Sequence, residues 1–316
     1  MNPDFYLLFD RITVQAANAV SGPFSYGFPA IGGFVGAVHA LQRRLPENLP
    51  LRLGGVLIAC HQCHPHTFRA DRYTVFKQTR NPVQSDGKLA PITEEGKADL
   101  TVSLVIEVFT DTLPDAEQKA EWTACLQTQL LGQRLAGGSI LQIGSTRLIP
   151  DYDLPRLAYL LCPAYILTDA SDLLPEITAE VQAGKPSFGI PPRPQATALD
   201  ALLAACAIYR CPPLPDDTEW HTHSLKRGRG WLVPLMTGYQ AISPLFAAGQ
   251  LQHSRNPEYP AQYVEPLYTL GQWQFALWFS GSDNSDRLRH HFWRFRQPEN
   301  QLYLYTTAGE NCLEEL

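Results

Sequence analysis

Apolar and β-branched residues run from the start of the chain at strand spacing. Phe5-Tyr-Leu-Leu-Phe9 and then Arg11-Ile-Thr-Val14 contain no breaker and predict a first strand. A loop dense in Gly, Pro and Ser follows over 21–33. Phe34, Val38, Leu41 and Leu45 then recur at helical spacing, and Pro46 stops that helix. Residues 51–60 predict a second apolar strand, in which Gly54-Gly55 marks a bulge or a close backbone approach. Residues 65–97 are polar, basic and turn-rich, an insertion with a hairpin around Tyr73-Thr-Val-Phe76. Residues 100–109 predict a third strand. A helix over 114–131 carries Trp122, Leu126 and Leu130 on one face and is ended by Gly137-Gly138; residues 140–149 predict a fourth strand.

Strand, helix, strand, strand, helix, strand is the order of the split βαβ, or ferredoxin-like, arrangement, which RNA-recognition motifs share. Beyond residue 150 the pattern degrades. Residues 183–195 read as a Pro/Gly-rich link, 197–209 as a short helix, 211–230 as irregular chain and 231–305 as short aromatic-rich strands. The expected fold class is therefore α+β. A ferredoxin-like, RRM-type lobe occupies 1–150 with the basic hairpin insertion at 65–97, and a β-rich irregular second lobe occupies 151–316.

Composition sharpens this picture. With 316 residues, one or two lobes are expected; 45% apolar and 10% aromatic residues suffice for a sizeable core. The 26 prolines and 22 glycines argue against a helical bundle. The net charge of −6 lacks the basic balance of a protein that binds long duplex DNA alone. Any nucleic-acid contact must be a local groove on an acidic body, which leaves acidic surface for protein partners. The 7 scattered cysteines form no secreted disulfide framework, no signal peptide precedes the first strand, and no stretch approaches the ~20 apolar residues of a membrane helix. The expected location is the cytoplasm, with no membrane contact.

Candidate chemistry is sparse. Cys60, Cys63, His64 and His66 are zinc-type donors. They begin on an apolar strand whose alternate side chains point to opposite faces, and no second Cys/His pair follows, so no metal is expected. His221 and His223 lie near Lys226, Arg227 and Arg229. A histidine among cations can take a proton from a 2′-hydroxyl in metal-independent RNA cleavage, whereas a solvated polar loop beside 231–234 would place the same residues there. Serine-hydrolase, phosphate-loop, zinc-protease and dinucleotide signatures are absent, and no cofactor is expected. The glycines of 27–36 precede a helix whose N–H groups could meet a phosphate.

Three basic regions remain. Arg43-Arg44 end the first helix, where the macrodipole favours cations. Arg69, Arg72, Lys77, Arg80 and Lys88 populate the insertion, against only Asp71 and Asp86 between residues 66 and 88. Arg287, Arg289, Arg294 and Arg296 interleave with His290, His291, Phe292, Trp293 and Phe295. Cations neutralise phosphates while aromatics stack on unpaired bases, so both later regions could hold single-stranded RNA.

The insertion motif Phe76-Lys-Gln-Thr-Arg-Asn-Pro82, followed by Asp86-Gly87-Lys88, resembles the 5′-handle-binding subunits of type I-F CRISPR (Csy) surveillance complexes. These belong to the repeat-associated mysterious protein (RAMP) superfamily. Asn18-Ala-Val-Ser21, Gly27-Phe-Pro29, Val38-His-Ala-Leu-Gln-Arg-Arg44, Glu94-Glu-Gly-Lys-Ala98, Val102-Ser-Leu104 and Arg134-Leu-Ala-Gly-Gly-Ser-Ile140 agree in order. So do Gly230-Trp-Leu-Val-Pro234, Gly238-Tyr239, Ala241-Ile-Ser-Pro-Leu245, Glu265 and Leu270-Gly-Gln-Trp273, whereas 150–229 match nothing and the Cys63-His64-x-His66 cluster departs from the pattern.

The resemblance implies a non-catalytic subunit that grips the crRNA 5′ handle, pairs with the large subunit and abuts the adjacent backbone subunit. Target DNA would be met through the complex, read by guide pairing. A RAMP endoribonuclease that processes repeat RNA is the alternative. The residues expected at the RNA are Lys77, Arg80, Asn81 and Lys88 of the insertion, with Arg43, Arg134, Gly137, Gly138, Trp231 and Tyr239. Strand period puts 78 and 80 on one face, and Asn81 offers a base edge both donor and acceptor. Gly137-Gly138 would serve as a helix cap or as a close approach to a phosphate. Trp231 and Tyr239 would stack or pack.

Overall fold

Residues 5–18 form a single strand because two bulges keep its alternation in phase with the core. The computed structural model describes residues 2–308, apart from 48, 70, 81, 214–217, 255, 282–285 and 300. In β1 (Phe5–Asn18), Phe5, Leu7 and Phe9 join one core while Tyr6 and Leu8 join another on the opposite face. Arg11 and Ala16 take positive φ (48° and 55°), and the register with the neighbouring strand shifts at both places. Each shift turns the next apolar residues, Ile12 and Val14 and then Ala17, back to the first core. The freed amides are not orphaned: Arg11 N–H donates to Ser103 Oγ and Ala16 N–H to Asp99 Oδ1, both at 2.9 Å.

Apart from short two-stranded ribbons and 3-10 turns, the other elements are α1 (Gly32–Gln42), β2 (Arg52–Pro65), β3 (Lys97–Phe109), α2 (Ala116–Leu131), β4 (Arg134–Leu135), β5 (Gly138–Gln142) and β6 (Ser145–Pro150). They continue with α3 (Leu154–Leu161), β7 (Tyr165–Asp169), α4 (Leu173–Ala183), α5 (Ala198–Cys206), β8 (Trp231–Ala241), β9 (Val264–Phe275), β10 (Arg294–Glu299) and β11 (Leu302–Thr306). One antiparallel sheet joins these eleven strands in the order β4-β5-β1-β3-β2-β7-β9-β8-β11-β10, with β6 also pairing β1. Helices α1 and α2 bury Phe34, Val38, Leu41, Trp122, Leu126 and Leu130 on one face. Helix α3, with Phe279 and Phe292, covers the other face, and α4 and α5 pack on β8 and β9 around Ile177, Leu202, Leu232 and Leu270. Among the described residues, no helix is long and apolar enough to cross a membrane.

Several expectations change. Helix α2 opens on an Asp115/Gln118 capping box and stops at Gly132, not at Gly137-Gly138. Ala136 and Gly137, with φ of 49° and 79°, form the two-residue tip of the β4–β5 hairpin, the left-handed pair such turns need. The single strand expected over 140–149 is two, because Gly144 turns back to donate to Asp10 O. Beyond 150 the chain is more regular than its pattern suggested. Among the described residues it holds three α-helices, and β8 and β9 are 11 and 12 residues long. Strand β7 pairs with β2 at Tyr165–Cys60 and Ile166–Ala59, so the sheet runs on from residues 1–150 into 151–316.

Candidate nucleic-acid interface

The end of β1, the end of β2, the start of β3 and the tip of the β4–β5 hairpin meet at one end of the sheet, and loop 19–31 lies across them. Ala19 N–H donates to Gly96 O, and Asn18 N–H to Ala136 O at the hairpin tip. Phe28 stacks on Phe34 with centroids 5.4 Å apart and meets Trp273 edge-on at 4.9 Å. Cys63 Sγ donates to Gly27 O, and Phe24 N–H to Tyr268 Oη at 3.2 Å. On the outer side Tyr26 packs edge-on against Phe76 of the insertion, centroids 5.2 Å apart.

Between this loop and the β7–β9 strands lies a cleft of about 450 Å³, lined in part by Tyr26, Phe28, Cys63, Tyr165, Trp231 and Trp273. Trp231 is 56% exposed and edge-on to Tyr165, centroids 5.5 Å apart. Exposed ring faces beside a polar rim that includes Ser21, His61 and Gln62 suit an unpaired base.

The insertion rises beside this cleft. Thr67–Phe68 pairs with Val75–Phe76 as the hairpin expected there, and Gln78–Arg80 pairs with Ile92–Glu94. Lys77 is exposed, its amide anchored to His66 O at 3.1 Å. Lys88 is exposed too, but lies 3.1 Å from Asp86, whose carboxyl is held below its ordinary range by the Lys88 amide and ammonium. Asn81 lies outside the described residues.

Arg134, Gly137 and Gly138 belong to the hairpin at the same end of the sheet. Arg134 is exposed. Gly138 packs on β1 so closely that a Cβ there would stand 2.7 Å from both Ala17 N and Gln15 O. A close backbone approach is present, but to the protein's own strand. Gly138→Ala is therefore expected to lower stability by about 1–3 kcal/mol, the range of an overpacked site, without a selective loss of RNA affinity. Urea titration alongside RNA binding by the folded protein checks both halves.

Arg43 and Tyr239 stand apart from this cluster. Helix α1 starts against Ala136 and ends where Gln42 binds Leu51 and Leu53 at the opposite end of β2. That carries the exposed Arg43 about 16 Å from the hairpin tip at 1.5 Å per residue. Tyr239 is half-buried on β8, across from Tyr303, and eight residues of strand place it ~26 Å from Trp231.

Two clusters read from the sequence turn largely inward, although His64, Arg287 and His290 stay exposed. Phe292 and Trp293 are fully buried, and the Trp293 indole donates to Leu167 O at 3.0 Å. Arg289 binds Asp151 at 2.5 Å and Tyr6 Oη at 2.7 Å; Arg294 binds Glu107 at 2.5 Å. These side chains hold the last strands to the central sheet and offer RNA no stacking face. Cys60 and Cys63 lie on β2, where burial pushes their thiols up to about 12 and about 11. His66 is engaged by Asp99 at 3.0 Å. Among the described residues, no three His, Cys, Asp or Glu side chains group closely enough to hold a metal.

His221 and His223 sit on a two-stranded ribbon, Tyr209–Cys211 with His221–His223, rather than in a solvated loop. Burial lowers the His223 pKa, with Lys185 and Arg227 adding to the effect. Arg229 is held by Glu176 at 2.6 Å and by Glu180.

Sequence reading passed over Phe24, Tyr26 and Tyr165. The first two carried a usable signal: aromatics between Gly22-Pro23 and Gly27 have no regular element to bury them. Tyr165 carried none, since it acquires its place only when β7 joins the sheet.

A family model for CRISPR-associated protein (Cas_Csy2) matches residues 7–305. A curated relative from Pseudomonas aeruginosa (strain UCBPP-PA14), CRISPR-associated protein Csy2, is 36% identical over 331 aligned positions, covering 97% of this chain and 96% of the relative.

Proposed function

The chain belongs to the CRISPR-associated Csy2 family, a subunit family of the type I-F Csy complex, and from that premise we propose that it is the non-catalytic subunit gripping the crRNA 5′ handle. It would pair with the large subunit, abut the neighbouring backbone subunit and work in the cytoplasm. The observation that carries this is convergence. Asn18-Ala-Val-Ser21, Gly27-Phe-Pro29, Glu94-Glu-Gly-Lys-Ala98 and the Arg134–Ile140 segment are far apart in sequence, yet meet around loop 19–31. Lys77 and the aromatic cleft flank that meeting point.

The strand order β5/β6-β1-β3-β2, with α1 and α2 on one face, supports a ferredoxin-like arrangement of the RAMP type. In an acidic protein a local set of cations beside exposed rings suits a short single strand better than a duplex. Guide pairing then reads the target DNA, with the protein supplying shape and charge.

Fluorescence anisotropy with labelled handle RNA at several salt concentrations tests the reading. Lys77→Ala should flatten the log–log salt dependence by about 0.7, the increment for one phosphate contact to a single strand. Trp231→Ala should cost about 1–3 kcal/mol of binding with the slope unchanged, as loss of a stacked base does. Wild-type affinity and slope in both variants would remove this end of the sheet from the RNA site. Repeat RNA incubated with the protein should stay intact. Metal-independent cleavage abolished by His221→Ala would overturn the non-catalytic reading. Co-expression should yield a one-to-one complex with the large subunit, and a lone monomer that ignores it would count against the pairing.

A further inference from the structure

Residues 150–229, which carry none of the family-like motifs, build a second pocket. Helix α4 ends at Gly184 (φ 70°), and the chain closes a tight loop in which Lys185 and Ile190 exchange backbone hydrogen bonds at 2.9 and 3.1 Å. This loop presents Phe188 to the ribbon carrying Tyr209, Arg210 and His223. The pocket it forms is about 580 Å³ and adjoins another of about 390 Å³ beside Arg227, with Glu180, Lys185, Phe188, His223 and Leu225 common to both. It shares no lining residue with the cleft beside Trp231.

Its charges are unequal. Arg229 is held by Glu176 and Glu180, and Arg193 pairs with Asp200 at 2.5 Å. Among the described residues Lys185, Arg210 and Arg227 have no carboxylate partner. Lys185 rests 5.4 Å over the Phe188 ring, and Arg227 donates only to Thr222 O at 3.5 Å. Lys185 and Arg210 face the larger pocket, and Lys185 and Arg227 the smaller one beside it, in a chain of net charge −6.

His223 supplies the second observation. It is 7% exposed, its ring lies 4.9 Å from that of Phe188, and its nitrogens make no hydrogen bond among the described residues. A mostly buried imidazole that no protein group binds, set in the pocket lining, leaves a donor and an acceptor open to a ligand. Cations, an aromatic face and an unmatched imidazole within one recess match the parts of a nucleotide: phosphate, base and polar edge. An acidic peptide would use the cations and leave the ring faces idle.

We propose that this pocket binds a nucleotide of single-stranded nucleic acid, with Lys185, Arg210 and Arg227 on the phosphates and the base against Phe188 and His223. The ligand class rests on the nucleic-acid reading above, and the test separates the two. Full-length protein is photocrosslinked to a 4-thiouridine RNA, in parallel with a 4-thiothymidine DNA of matching sequence, and the sites are mapped by mass spectrometry. Crosslinks at Phe188, Tyr209 or His223 are expected, and the arm that gives them identifies RNA or DNA as the source. Lys185→Ala combined with Arg227→Ala, both on exposed side chains, should cut that yield about tenfold and flatten the salt slope by about 1.4, two contacts' worth. Crosslinks confined to loop 19–31 and the insertion would overturn the pocket and leave the handle reading standing; no RNA binding at all would overturn both. Binding of a glutamate-rich peptide that Lys185→Ala with Arg227→Ala abolishes, with no crosslink at the pocket in either arm, would reassign the pocket to a protein partner.

Discussion

Arg294→Ala is expected to lower stability by about 3–5 kcal/mol, because it strands a carboxylate in the core. The Glu107 side chain is 7% exposed; its Oε2 accepts from Gly55 N–H at 2.8 Å and its Oε1 from Arg294. Water cannot replace the guanidinium without opening β2 from β10. Replacing both partners, Glu107→Leu with Arg294→Met, should recover most of the loss, since desolvating the pair already offsets much of its attraction. Urea midpoints at unchanged m-value measure both effects. A single variant within 1 kcal/mol of wild type would show that this pair is not the clasp its geometry indicates.

Trp293→Ala should cost a similar amount, about 3–5 kcal/mol, for a different reason. The indole is fully buried among side chains from both halves of the chain, and its removal leaves a cavity and an unpaired Leu167 carbonyl. The backbone bridge between Trp293 and Val56 should persist, since it needs no side chain. RNA affinity of the folded fraction should match wild type. A selective loss of handle binding with the urea midpoint intact would return this residue to the RNA.

Trp293 and Arg294 also show where sequence reading stops. Alternating cations and aromatics look the same whether the run faces solvent or core. The carboxylates that decide it, Glu107 and Asp151, lie 187 and 138 residues away from their arginines. Elements with internal periodicity were readable: α1, α2, β2 and β3 fall within a few residues of their predicted spans. The sequence pattern predicts β1 only to residue 14, because a bulge flips the apolar phase and makes its far end look irregular. Helix α3 displays Leu154, Leu157, Ala158 and Leu161 at ideal helical spacing, but Pro155 hid it; proline is welcome in the first turn. Strand β8 tolerates Pro234 because β11 pairs only with Gly238, Tyr239 and Gln240, leaving no partner for the missing N–H. At the site, the glycine and insertion motifs were visible, whereas the meeting of Tyr26, Tyr165 and Trp231 required the assembled sheet.

The clasping of early strands by late ones also bears on how the chain is born. Arg289 reaches back 283 residues to Tyr6. At ~5–20 residues per second, a ribosome needs roughly 15–55 s to deliver that partner. Meanwhile β2 waits with an open edge until β7 emerges, and the face that will receive Phe292 stays wet. Nascent chains of this protein therefore carry that open edge for about a third of their synthesis, so helpers that shield such edges would raise the yield of the finished fold.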